Sequence, residues 1–154
     1  MSSIQSMKRF TPGDFEELKS SYFPSMIHVN QHTTDTHVGA FVLQIPGVHS
    51  LHDATEVMYK LLIDLRNFPI IPHAYVLTPS CQDIHHLNVA VNRSFSVAPG
   101  MQICWICPGK SFTKDWEKNW QHAGGDSSAK IKRFLEQIDH VLNNPNPEDP
   151  AREV

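Results

Sequence analysis

The sequence predicts an α+β domain in which helices pack on one antiparallel sheet, and three observations lead there. Two stretches, one near each end, repeat apolar residues at helical spacing. Between them lie four short apolar runs with strand character, joined by short connections, which is the pattern of an antiparallel meander. A long, loosely patterned segment then separates the meander from the last helix. The 154 residues show neither an internal repeat nor a linker. They are expected to form a single domain spanning 1–154, long enough to bury a core without metals or disulfides.

The first helix starts at Thr11, a side chain suited to the N-cap, with Pro12 at the first helical position and Asp14 in the first turn. Phe15, Leu18 and Tyr22 form its apolar stripe, and Phe23-Pro24 ends it. "MIHVNQH" alternates like a half-buried strand, and "VGAFVLQI" is a stronger run that Pro46-Gly47 is expected to close with a turn. "EVMYKLLIDL" suits a helix or a strand by periodicity alone, and its neighbours favour a strand. "AYVLT" is the fourth run. From Pro79 to Met101 the pattern loosens into irregular chain with at most one short strand. Such long loops are uncommon in compact domains and are often functional. Asp126 then caps a helix that presents Ile131, Phe134, Leu135, Ile138, Val141 and Leu142 on one face. Lys130, Lys132, Arg133, Glu136 and Asp139 fill its wet side, and Asn143-Asn144-Pro145 stops it.

Composition narrows the functional classes. A formal charge of −3, with no Lys/Arg-rich run, argues against a nucleic-acid partner. No segment reaches the roughly 20 apolar residues that span a bilayer, and "MSSIQSMKRF" lacks the apolar core of a secretory signal. Three cysteines are too few for a disulfide framework and point to a reducing cytoplasm. The ten histidines are read mainly as surface groups.

"QICWICPGK" holds Cys104 and Cys107 two residues apart. The pair can bind metal, form a redox couple, or carry one nucleophilic thiol. A closed zinc site needs four ligands, usually from a second pair at defined spacing. Only Cys81 remains, with His85, His86 and His122 as scattered candidates. A thioredoxin-like couple fits worse, because Pro108 follows the second cysteine. Cys104 is otherwise a small hydrophobe in an apolar run.

Four motifs in order resemble the ubiquitin-conjugating enzyme family across residues 10–152. "FPIIP" (68–72) is similar to the family's aromatic-Pro-x-x-Pro turn after the third strand. His86-Leu87-Asn88 resembles its His-Pro-Asn motif with Leu for Pro. "QICWI" resembles the segment around its catalytic thiol, and "LNNPNPEDPA" resembles the stretch after its central helix. The sequence departs from the family at Leu87, in a longer interval between Asn88 and Cys104, and in "EKNW" where a Ser-Pro-Ala ligase-docking loop is usual. These departures look more like the conjugating-enzyme-like proteins of bacterial anti-phage cyclic-oligonucleotide operons.

The resemblance implies the conjugating-enzyme-like fold and two acyl transfers with no cofactor or metal. Cys104 accepts the C-terminal glycyl group of a protein as a thioester, and an amine then displaces the sulfur. A thiol is both strongly nucleophilic and a good leaving group. Asn88 would stabilise the charge that develops on the carbonyl oxygen, or hold its own loop. Asp149 would orient the incoming ammonium group, or be a solvated charge, with Glu148 as a substitute. His86 is expected to tie the loop. The implied partners are a protein acyl donor ending in Gly or Ala, a cGAS-like nucleotidyltransferase in the defence setting, and a separate activating enzyme. Two alternatives stand beside this: a catalytically inactive binding module of the same fold, and a small zinc domain using Cys104 and Cys107.

Overall fold

The computed structural model describes residues 9–50, 52–79, 88–91 and 102–144, with the backbone alone at 88–91 and 102–104. Helix α1 (Pro12–Ser21) leads into β1 (Ile27–His28), a 3-10 turn (Asn30–His32), β2 (Ala40–Ser50), β3 (Asp53–Asp64) and β4 (His73–Thr78). Strands β5 (Asn88–Val91) and β6 (Gln102–Ile106) follow, then α2 (Lys110–Asp115), a π-helical turn (Trp116–Trp120) and α3 (Ser127–Asn143). The sheet runs β1-β2-β3-β4-β6-β5 with every neighbouring pair antiparallel. The α+β architecture agrees with the sequence. The sheet has six strands rather than the expected four, because the Asn88 and Cys104 segments extend it beyond β4.

Helix α1 begins as the sequence predicts. Asp14 N–H donates to Thr11 Oγ1 (3.1 Å), and Thr11 N–H donates to Asp14 Oδ2 (3.0 Å), so two otherwise orphaned donors are satisfied reciprocally. Phe15 and Leu18 are buried, but Tyr22 is the C-cap and stays exposed, with Lys132 Nζ 4.5 Å over its ring. At the head of α3, Asp126 accepts from the Ser128 N–H at 3.0 Å. Ile131, Phe134, Leu135, Ile138 and Leu142 are sealed against the sheet, while Val141 is half-buried. Lys130 is a correction to the expected wet side: it is buried, and its ammonium donates to Ala123 O at 2.6 Å. The aliphatic stem packs while the charged head finds a carbonyl at the turn before the helix.

Pro46-Gly47 does not turn the chain. Strand β2 runs straight through it, with Pro46 opposite Met58 and Gly47 opposite Val57, and the hairpin closes at Ser50↔Asp53. The physical reason lies in what crosses the strand there. A Cβ on Gly47 would sit 2.8 Å from Tyr59 Cε2 and 2.9 Å from both Leu142 Cβ and Leu142 O, so glycine is what lets the last turn of α3 touch the sheet. Pro46 is tolerated because β1 reaches only Phe41 and Val42, leaving β2 with a single neighbouring strand at that point.

One face of the sheet carries the core. Phe41, Leu43 and Ile45 of β2, Tyr59, Leu61 and Ile63 of β3, Ala74 and Val76 of β4, and Ile106 of β6 cluster with Phe15 and Leu18 of α1 and the apolar face of α3. On the opposite face a smaller group surrounds the fully buried Ala40 and Leu62, with Val42, Tyr75 and Leu77 around them.

Candidate functional site

The two segments singled out by motif lie side by side. Strand β6 inserts between β4 and β5, so Cys104 pairs with Val76 on one side and Val89 on the other. Asn88 pairs with Trp105, the next residue along β6. Two rows therefore cross the sheet. One runs Leu43, Leu61, Val76, Cys104, Val89, and its first three members are core residues. The other runs Val42, Leu62, Tyr75, Trp105, Asn88 on the helix-free face. Strand alternation sends adjacent residues to opposite faces. The register positions of Cys104 and Asn88 thus belong to different faces. His86 and Asp149 lie outside the described residues, as do Cys81, His85 and Glu148.

Cys107 is free and exposed just beyond β6. Pro108 follows it, buried, with its carbonyl accepting from Gln137 Nε2 of α3 at 2.8 Å. Gly109 turns the chain with φ of +104°, a conformation that side chains rarely adopt, and α2 starts at the next residue. Among the described residues, Asp14, Glu17 and Asp126 form a group that could hold a metal ion. Two of those three carboxylates already accept backbone N–H groups at helix starts, Asp14 from Thr11 and Asp126 from Ser128.

The tryptophans frame the segment in different ways. Trp116 is fully buried, and its Nε1–H donates to Pro69 O at 2.9 Å, linking the end of α2 to the "FPIIP" turn. Phe112 and Phe134 pack on its ring, with centroids 6.1 and 6.4 Å away. Trp120 lies under the Arg133 guanidinium at 4.6 Å, and its Nε1–H donates to Asp115 Oδ2 at 3.0 Å. Asp115 also accepts from Asn119 Nδ2 (2.7 Å) and Arg133 NH2 (3.1 Å). The Asn119 bond first, then those from Arg133 and Trp120, hold its carboxyl below the ordinary aspartate value.

Sequence reasoning missed α2 and its π-helical extension. The signal was present: Phe112, Trp116 and Trp120 recur every fourth residue, and glycine precedes them at 109. It also missed the ion pair at the end of β3. Arg66 grips Asp64 through Nε–Oδ1 and NH2–Oδ2, each at 3.0 Å, and the Asp64 hydrogen bond raises the arginine pKa further. Beside the pair, Tyr75 has its pKa raised, first by burial and then by the Asp64 charge.

No family model matches the chain, and no curated protein or solved structure matches it. Among the described residues, no helix is long and apolar enough to cross a membrane.

Proposed function

We propose that this chain is a ubiquitin-conjugating-enzyme-like acyl transferase that carries the C-terminal glycyl group of a protein as a thioester on Cys104 and passes it to an amine. The observation that carries the reading is the β5–β6 pairing, which sets the Asn88 segment against the Cys104 segment across the ten residues, 92–101, that separate the two strands. The ordered motif series from "FPIIP" to "LNNPNPEDPA" supports the same reading, as does a helix–meander–helix order with both long helices on one face of the sheet. Along the backbone, Val89 is the direct partner of Cys104, and Asn88 pairs with the next residue, Trp105. In the defence setting the acyl donor is a cGAS-like nucleotidyltransferase ending in Gly or Ala, with activation supplied by a separate enzyme.

A second reading assigns the acceptor thiol to Cys107. Its favouring observation is exposure, against a Cys104 row that begins in the core. His73, also exposed, stands one residue before Ala74 just as Cys107 stands one residue after its partner Ile106, so the antiparallel register brings their backbones abreast. An imidazole beside a thiol is a common means of activating it.

The test uses a peptide ending in glycine as its alkyl thioester. Intact mass and proteolytic mapping then read transfer onto wild type, Cys104→Ser and Cys107→Ser. An adduct on Cys104 that becomes base-labile and thiol-resistant in Cys104→Ser supports the first reading. The same behaviour at Cys107 supports the second. Folded protein that takes up no acyl group at either position, while urea-unfolded protein does, overturns both.

A further inference from the structure

A cleft of about 210 Å3 opens where the chain entering α1, the turn before β2 and the turn after β3 converge. Arg9, Phe10, His37, Val38, Leu65, Arg66 and Phe68 line it. Its polar wall is cationic, in a protein whose formal charge is −3. We propose that this cleft is a binding site for a small phosphate monoester, with the phosphoryl oxygens held by Arg9, His37 and Arg66 and the organic group lying on Phe10 and Phe68.

The hydrogen bonds around His37 hold its ring through Nδ1. Thr34 Oγ1 accepts from the backbone N–H groups of Thr36 and His37, each at 3.3 Å. His37 Nδ1 lies 3.1 Å from both Thr34 Oγ1 and Thr36 Oγ1, and the two hydroxyls are 3.2 Å apart. With Nδ1 engaged by the threonine turn, Nε2 is the ring nitrogen left to meet a ligand.

Arg66 is pre-set in a different way. Asp64, itself buried, grips the guanidinium at two points and also accepts from the Arg66 backbone N–H at 3.0 Å. The carboxylate is not among the cleft's lining groups, so the cleft meets the cation rather than its counterion. Arg9 supplies the second guanidinium, and among the described residues it makes no ion pair. The Arg9 guanidinium suits phosphate oxygens because its planar fork can donate two parallel charge-assisted hydrogen bonds, while Arg66, whose Nε and NH2 are on Asp64, adds positive charge to the wall. Phe10 is buried and Phe68 half-buried, so the floor is apolar and fixed by the core. That combination favours a phosphorylated organic molecule over free phosphate.

The experiment is an amide chemical-shift titration of the full chain at constant ionic strength, with inorganic phosphate and phenyl phosphate as probes and chloride as the control. Saturable shifts at Phe10, Val38 and Leu65 are expected with both probes, with phenyl phosphate binding several-fold more tightly. Arg9→Gln should weaken both by about tenfold while leaving the spectrum elsewhere unchanged. His37→Phe, which keeps the ring but loses the donor, should weaken them less. Shifts no larger than those with chloride, or equal affinity in Arg9→Gln, overturn the proposal. If inorganic phosphate binds and phenyl phosphate binds no better, the aromatic floor has no role and the monoester assignment falls. Acyl transfer plays no part in any of these readouts, so the outcome is independent of the cysteine chemistry.

Discussion

Replacing Gly47 with Ala tests the claim that α3 docks by touching bare backbone. The added methyl would lie 2.8 Å from Tyr59 Cε2 and 2.9 Å from Leu142 Cβ and Leu142 O. The Tyr59 ring is tethered by its hydroxyl, which donates to Val48 O, and the Leu142 carbonyl belongs to a helix whose apolar face is fully buried. None of these atoms can yield alone, so α3 must lift from the sheet at its C-terminal end. Overpacking of this kind costs about 1–3 kcal/mol. At roughly 2–4 °C per kcal/mol for a domain of this size, the melting temperature falls by roughly 2–12 °C. Without a clash the sign reverses, because Gly→Ala stabilises by about 0.4–1 kcal/mol through the unfolded chain. Gly124→Ala is the matched control, since nothing lies within 4 Å of its added methyl. Thermal unfolding by circular dichroism reads both variants. A Gly47→Ala protein that melts at or above the wild-type temperature refutes the docking argument.

Trp116→Phe leaves Pro69 O without its 2.9 Å donor and opens a void beside Phe112 and Phe134, and should lower stability by about 2–4 kcal/mol in urea unfolding with the m-value unchanged. Ser127 Oγ is buried and has no hydrogen-bond partner among the described residues, so Ser127→Ala should be neutral or stabilising, by up to about 1 kcal/mol in the same assay. Asp115 has a folded pKa below the ordinary aspartate value, so its contribution is present above the unfolded carboxylate pKa and is lost as pH falls through the folded value. The melting temperatures of wild type and Asp115→Asn should accordingly differ at neutral pH and converge as pH falls below the ordinary aspartate range.

Much of the fold was legible because local chemistry and tertiary packing agreed. Thr11, Pro12 and Asp14 act where their types predict, and the apolar face of α3 is the one its spacing defines. The misreadings occur where a long-range contact overrides a local signal. Pro-Gly normally marks a turn, but here it accommodates α3, an interaction 95 residues away in sequence from Gly47 to Leu142. Lys130 reads as solvated until the Ala123 carbonyl is brought to its ammonium. In the candidate site, "QICWI" is apolar enough to be a strand, yet nothing local reveals that it inserts between β4 and β5. Nor can spacing reveal that Asn88 pairs with Trp105 rather than Cys104, since register is fixed by partners distant in the chain. The cationic cleft was invisible for the same reason: its three donors come from positions 9, 37 and 66.

The border of β2 beyond β1 has a consequence for how other polypeptides can approach. Gln44 offers no free backbone rung there, because its N–H donates to Ser25 Oγ at 3.0 Å and its carbonyl accepts from the same hydroxyl at 3.4 Å. Two residues on, Pro46 has no N–H to give, and its carbonyl is taken by Asn143 Nδ2 at 3.0 Å. A foreign strand seeking to lengthen the sheet on that flank would find its hydrogen-bonding sites already filled, which guards against edge-to-edge aggregation.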